Sequence, residues 1–186
     1  MPSGFEAVDE AIRAEAETSF SFLERLIGAP STVGAEAPAQ RIVADELARI
    51  GFDVATVPIP PQTAADVAAG VAQGSHAGRV SVLGRLGVGR SPSLLLNGHV
   101  DVVPAEAAVW PGDPFTAVRS GGWMIGRGAG DMKGGFAMGL LRPWPGSSPG
   151  SSPVEACQAA RRHVSQRRPG GERPGSGPYR VWHAST

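Results

Sequence analysis

The chain has 186 residues, and its 17 Lys plus Arg balance 17 Asp plus Glu, so net charge gives no support to a nucleic-acid or membrane-surface role. A single Cys, Cys157, excludes an internal disulfide framework and any Cys-rich zinc module, which leaves His and carboxylate for metal chemistry. No apolar run approaches the ~18 residues of a membrane span, and the first thirty residues hold six acids and two Arg without an apolar h-region, so the expected address is cytoplasmic.

In chain order, Phe5, Val8, Ile12, Phe20, Leu23 and Ile27 recur near the 3.6-residue period and predict a first helix, ended by Gly28-Ala29-Pro30-Ser31. A second helix is expected from about Pro38 to Ile50, with Ile42, Val43, Leu47 and Ile50 on one stripe and Gly51 as its stop. Phe52 to Val57 reads as extended up to the Pro58-Ile59-Pro60-Pro61 break, and Val80 to Leu86 alternates like a half-buried strand. Ser93 to Val103 carries Leu94-Leu95-Leu96, Val100, Val102 and Val103, a run expected in a central strand buried on both faces of a mostly parallel sheet. Trp123-Met124-Ile125 is a further strand, and a helix should start within Met132 to Leu141. This order predicts a layered α/β domain.

The composition changes after Leu141. Residues 1–141 hold 15 acids and 10 bases, whereas 142–186 hold Glu155, Glu172 and seven Arg. Gly, Pro and Ser make up 20 of those 45 residues, and Leu, Ile and Phe are absent. Such a segment buries too little apolar surface to offset its ordering entropy, so the tail is expected to be disordered.

The chemistry is concentrated in Asn97-Gly98-His99-Val100-Asp101-Val102-Val103-Pro104. His99 and Asp101 lie two apart on an extended segment, so their side chains leave the same face at the C-terminal end of an apolar strand, where open α/β sheets place ligands. They suit a metal ligand with a nearby carboxylate, and equally a strand-end pair making ordinary hydrogen bonds. Asp131 lies in the glycine-dense Gly126-Arg127-Gly128-Ala129-Gly130-Asp131-Met132-Lys133-Gly134-Gly135 at an apparent helix start, where an acid also serves as a cap. Without a G-x-x-x-x-G-K-[ST] pattern this stretch is not a phosphate loop.

His99-Val100-Asp101-Val102-Val103-Pro104, Trp110, Asp113-Pro114-Phe115, Gly126-Arg127-Gly128 and Asp131-Met132-Lys133-Gly134-Gly135, in that order, resemble the signature of the M20 metallopeptidase family. That family includes acetylornithine deacetylase, succinyl-diaminopimelate desuccinylase, aminoacylase-1 and carboxypeptidase G2, and the likeness covers residues 1 to about 141. It implies the N-terminal portion of a zinc-peptidase-like layered αβα catalytic domain. It implies two zinc ions, with cobalt or manganese as substitutes: His99 ligating one, Asp131 bridging both, and Asp101 as the catalytic-site carboxylate that helps set charge and geometry. A cis peptide after Asp131 is part of the same expectation. The implied reaction is hydrolysis of an amide in an N-acylated amino acid or small peptide, with no nucleic-acid or membrane partner. The intact family dimerises through a lid domain that is not found in this sequence.

The chain departs from the family after Leu141. The family's Glu-Glu pair, of which the first is the general base, its later acid ligand and its final ligand His have no counterparts among Glu155, Glu172, His163 and His183, which read as tail residues. Zinc sites take at least three protein ligands, so an inactive truncated or frameshifted fragment is the alternative to an active hydrolase.

Overall fold

A computed structural model describes residues 4–60, 76–86, 94–141 and 180–185. The elements are α1 (Gly4–Ile27), α2 (Ala37–Arg49), β1 (Asp53–Pro58), β2 (Val80–Leu86), β3 (Leu94–His99), β4 (Val118–Ser120), β5 (Trp123–Ile125), α3 (Gly134–Leu140) and β6 (Arg180–Ser185). Among the described residues no helix is long and apolar enough to cross a membrane.

The C-terminal half of α1 supplies the buried stripe Phe22, Leu23, Leu26 and Ile27. Ile12 and Phe20, expected on that stripe, are exposed, and the Phe20 ring instead lies 5.3 Å beneath the Arg119 guanidinium. The side chains of Phe5 and Val8 lie outside the described residues. In α2, Val43 and Leu47 are fully buried, with Ile50 just beyond the helix. Its end is a Schellman motif: Gly51, at φ 90°, donates its N–H to Ala48 O, and Phe52 N–H donates to Leu47 O.

The main sheet has the order β1-β2-β6-β3. β1–β2 and β2–β6 are antiparallel and only β3–β6 is parallel, so the described sheet is mixed where a mostly parallel one was expected. Gly84, Trp182 and Leu96 are aligned across β2, β6 and β3, as are Val82, Ala184 and Gly98 in the next row. Aligned residues share a face. A Cβ on Gly84 would touch Leu47 of α2, and one on Gly98 would touch Phe136 of α3, so both helices cover this same face. The core of Leu26, Ile27, Val43, Leu47, Val82, Val100 and Phe136 lies between them and the sheet.

One expectation fails here. β3 is the end strand of the described sheet, and Leu95, on the face away from the helices, is 61% exposed, so the Leu94–Leu96 run is not buried on both faces. The reason is that α2 and α3 pack on one side only. The disorder expected of the tail falls almost wholly outside the described residues, of which only Arg180–Ser185, strand β6, belong to the tail. β6 hydrogen-bonds to β2 on one side and β3 on the other. An interior strand satisfies its backbone groups through two ladders, an advantage that aliphatic content does not register. Residues 142–179, with Glu155, Glu172 and His163, lie outside the described residues.

Candidate active site

His99 closes β3, and the chain continues extended through Val100 and Val102, both buried. Ser31, in the turn after α1, holds this extension on both sides of Asp101. Its buried hydroxyl donates to Val100 O at 2.6 Å, and its carbonyl accepts from Val102 N–H at 2.9 Å. The expectation that His99 and Asp101 leave one face is met. His99 Nδ1 lies 3.2 Å from Asp101 Oδ1 and 3.1 Å from the Asp101 carbonyl oxygen.

Asp131 comes to the same imidazole from the glycine-dense segment. Gly128 takes φ 80°, and Lys133 N–H donates to Gly128 O at 2.8 Å, closing the turn Ala129–Lys133. Within that turn the Asp131–Met132 peptide bond is cis, as the family likeness implied. Asp131 is not a helix cap: α3 starts from Lys133 and has no side-chain capping bond. Its carboxylate Oδ1 lies 3.2 Å from His99 Nε2, and the side chain is 92% exposed, with room for further partners.

The Asp101 carbonyl and carboxylate oxygens only accept hydrogen bonds, so Nδ1 of His99 carries the proton. In the neutral ring Nε2 then presents a lone pair to another acceptor, Asp131 Oδ1. Two facing acceptors suit a bound cation between them. A ligating His oriented by a carboxylate and a carbonyl on its other nitrogen is a familiar metal-site arrangement. The donor set is nevertheless short. Among the described residues no group of three or more His, Cys, Asp or Glu side chains is arranged to hold a metal ion. Zinc takes at least three protein ligands, so the described residues do not complete such a site.

The surrounding residues build the loop. Asp113 accepts from Phe115 N–H at 3.0 Å and from the Thr116 hydroxyl at 2.9 Å, an Asx-type turn, and Pro114 O accepts from Arg127 N–H at 2.7 Å. The Arg127 guanidinium lies 5.1 Å over the Trp110 ring, so Trp110 packs on the loop. Sequence reasoning missed Ser31 and Lys133. Lys133 is fully buried, and its Nζ donates to Leu26 O at 2.8 Å and Ala29 O at 2.9 Å. Burial lowers its pKa from 10.5 to about 8. A lysine between Met132 and Gly134 has no hydrophobic pattern that announces burial, and a lone Ser after a Pro reads as an ordinary turn residue.

The sequence pattern of Peptidase family M20/M25/M40 matches residues 95–142, which hold His99, Asp101 and Asp131. The chain is 35% identical over 122 residues to succinyl-diaminopimelate desuccinylase of Leptothrix cholodnii, covering 64% of this chain and 28% of that protein. It is 40% identical over 113 residues to the Methylobacterium sp. protein of the same name, covering 60% and 25%. The chain thus spans less than a third of these relatives. Among solved structures, the dipeptidase Dug1p from Saccharomyces cerevisiae superposes with a TM-score of 0.63 at 23% identity, over 99% of this chain and 35% of that one. Human carnosine dipeptidase 1 superposes at 0.61 and 21%, over 98% and 34%. Over residues 95–142 the chain is similar in sequence to Peptidase family M20/M25/M40, and it shares the α/β fold of Dug1p.

Proposed function

We propose that the chain carries one part of the active centre of a metal-dependent amidohydrolase, which cleaves the amide bond of an N-acylated amino acid or small peptide. The observation that carries this reading is the meeting of His99 Nε2 and Asp131 Oδ1 at 3.2 Å, with the other imidazole nitrogen held by Asp101. In it, His99 and Asp131 are metal ligands, and Asp101 fixes the ring and balances charge. The metal, zinc or a substitute such as cobalt or manganese, would supply polarisation of the scissile carbonyl. The desuccinylase relatives favour an N-succinyl amine over an N-acetyl one. A cytoplasmic address accompanies this reading, and the boundary of the catalytic part is placed at Leu141 on the change in composition.

A second reading, that the 186-residue chain is inactive as it stands, is favoured by the shortage of ligands among the described residues. The two readings are separated by zinc content and turnover. The 186-residue chain should hold less than one zinc and release neither succinate nor acetate from N-acyl amino acids. A longer product with the Glu-Glu block restored should release one of them with added metal, and His99→Ala should abolish that release. Two tightly held zinc ions with turnover in the short chain overturn the second reading, and a longer product without metal-stimulated release overturns the first.

A further inference from the structure

Asp131 stands on a turn flanked by Gly128, Gly130, Gly134 and Gly135, and its own side chain is almost wholly in solvent. Such a segment has no intrinsic rigidity, yet Oδ1 lies within hydrogen-bonding distance of an imidazole 32 residues away. The attachments that set that distance reach outside both segments. Lys133, two residues beyond Asp131, sends its side chain through the core to the end of α1, where Nζ donates to Leu26 O and Ala29 O. The C-terminal end of a helix carries the negative end of its dipole, and the buried ammonium there adds to the Ala29 N–H bond on Leu26 O and pairs Ala29 O just past the helix. Five residues beyond Leu26, Ser31 holds the other half of the site, with its hydroxyl on Val100 O and its carbonyl on Val102 N–H. The run from Leu26 to Ser31 is therefore a common mount for both site segments.

We propose that Lys133 and Ser31 are positioning residues, which set the placement of Asp131 relative to His99 through their shared attachment to Leu26–Ser31. The inference rests on His99 and Asp131 forming the site, as proposed above. Neither residue touches the imidazole. Lys133 acts through the backbone of the turn that carries Asp131, and Ser31 acts through the backbone that carries His99 and Asp101. Space near the turn is already filled, since a Cβ on Gly128 would lie 3.2 Å from Lys133 Cδ and 2.6 Å from Val102 Cγ1. Loss of either attachment therefore moves the segment that it holds rather than being absorbed by slack.

The test uses the full 186-residue chain with 15N-labelled histidine, in the absence of metal and substrate. The imidazole signals of His99 are assigned by their loss in His99→Gln, and Asp131→Asn defines the shift that follows when the facing carboxylate is removed. Lys133→Met, in a chain still folded by its amide spectrum, should move the His99 Nε2 signal in the same direction, and adding Asp131→Asn should move it little further. Ser31→Ala deletes one hydroxyl and should move the Nδ1 signal. A role in stability alone predicts a lower melting temperature with His99 signals unchanged, and that result overturns the proposal. If Lys133→Met does not fold, Ser31→Ala decides by the same criterion. Because no metal or turnover enters the measurement, an inactive chain leaves this inference standing, and unchanged signals leave the hydrolase reading standing.

Discussion

Arg79 Nη2 donates to Glu36 Oε1 at 2.6 Å, and both side chains are almost fully buried. The same oxygen accepts from Gly34 N–H at 2.9 Å, while Arg79 Nη1 lies 3.1 Å from His76 Nδ1. The pair ties the turn before α2 to the start of β2. Removing one partner of a buried ion pair leaves the other charge without compensation, so Glu36→Gln or Arg79→Met alone should destabilise the chain by about 3–5 kcal/mol. The double variant Glu36→Gln/Arg79→Met should cost less than the sum of the two. Urea denaturation of the three variants checks this, and strictly additive losses would show that the pair is not coupled.

Gly128 combines φ 80° with a Cβ position only 2.6 Å from Val102 Cγ1. A side chain there costs the left-handed backbone penalty as well as overpacking, so Gly128→Ala should lower stability by about 2–4 kcal/mol. Gly112, with nothing within 4 Å of its Cβ position, is the control, and Gly112→Ala should stay within about 0.5 kcal/mol of the parent. Equal melting temperatures for the two variants would refute the close approach.

Lys133 links stability to pH. Burial lowers its pKa from 10.5 to about 8 in the folded chain. Between those values the unfolded chain binds more protons than the folded one, so stability rises with pH across this window. The cost of the buried ammonium is fully present below pH 8 and is relieved as pH approaches 10.5. The gain should be on the order of 2 kcal/mol once partial screening is allowed for. Denaturation curves across this range should rise more steeply for the parent than for Lys133→Met, and parallel curves would show that the ammonium is not confined.

Phe136 is fully buried, and its ring meets the Gly98 position of β3, one residue before His99. Phe136→Ala removes the packing between α3 and β3 and should cost about 3–5 kcal/mol. Hydrogen exchange at the β3 amides should accelerate with it. Unchanged protection of those amides would show that α3 does not support the strand.

Much of this arrangement was legible beforehand. Val80–Leu86 alternates and forms β2 with those bounds, Gly51 closes α2, and the spacing of His99 and Asp101 brings the Asp101 carboxylate to Nδ1 of the His99 imidazole. These features are local, set by periodicity or by one backbone conformation. The exposure of Leu95 depends on which faces the helices cover, and a leucine triplet carries no record of that. Lys133 and Ser31 were opaque because their partners are main-chain carbonyls and amides in distant turns, which have no residue identity to read. The pairing of Arg180–Ser185 rests on ladder bonding, which is indifferent to the Pro, Gly and Arg content around it.

β2 and β3 meet only through β6 in the described sheet. Translation delivers β1, β2 and β3 long before the strand that unites them, so the histidine-bearing strand emerges from the ribosome with no neighbour on its β6 side. During that interval its amides are open to proteases, chaperones and other nascent chains.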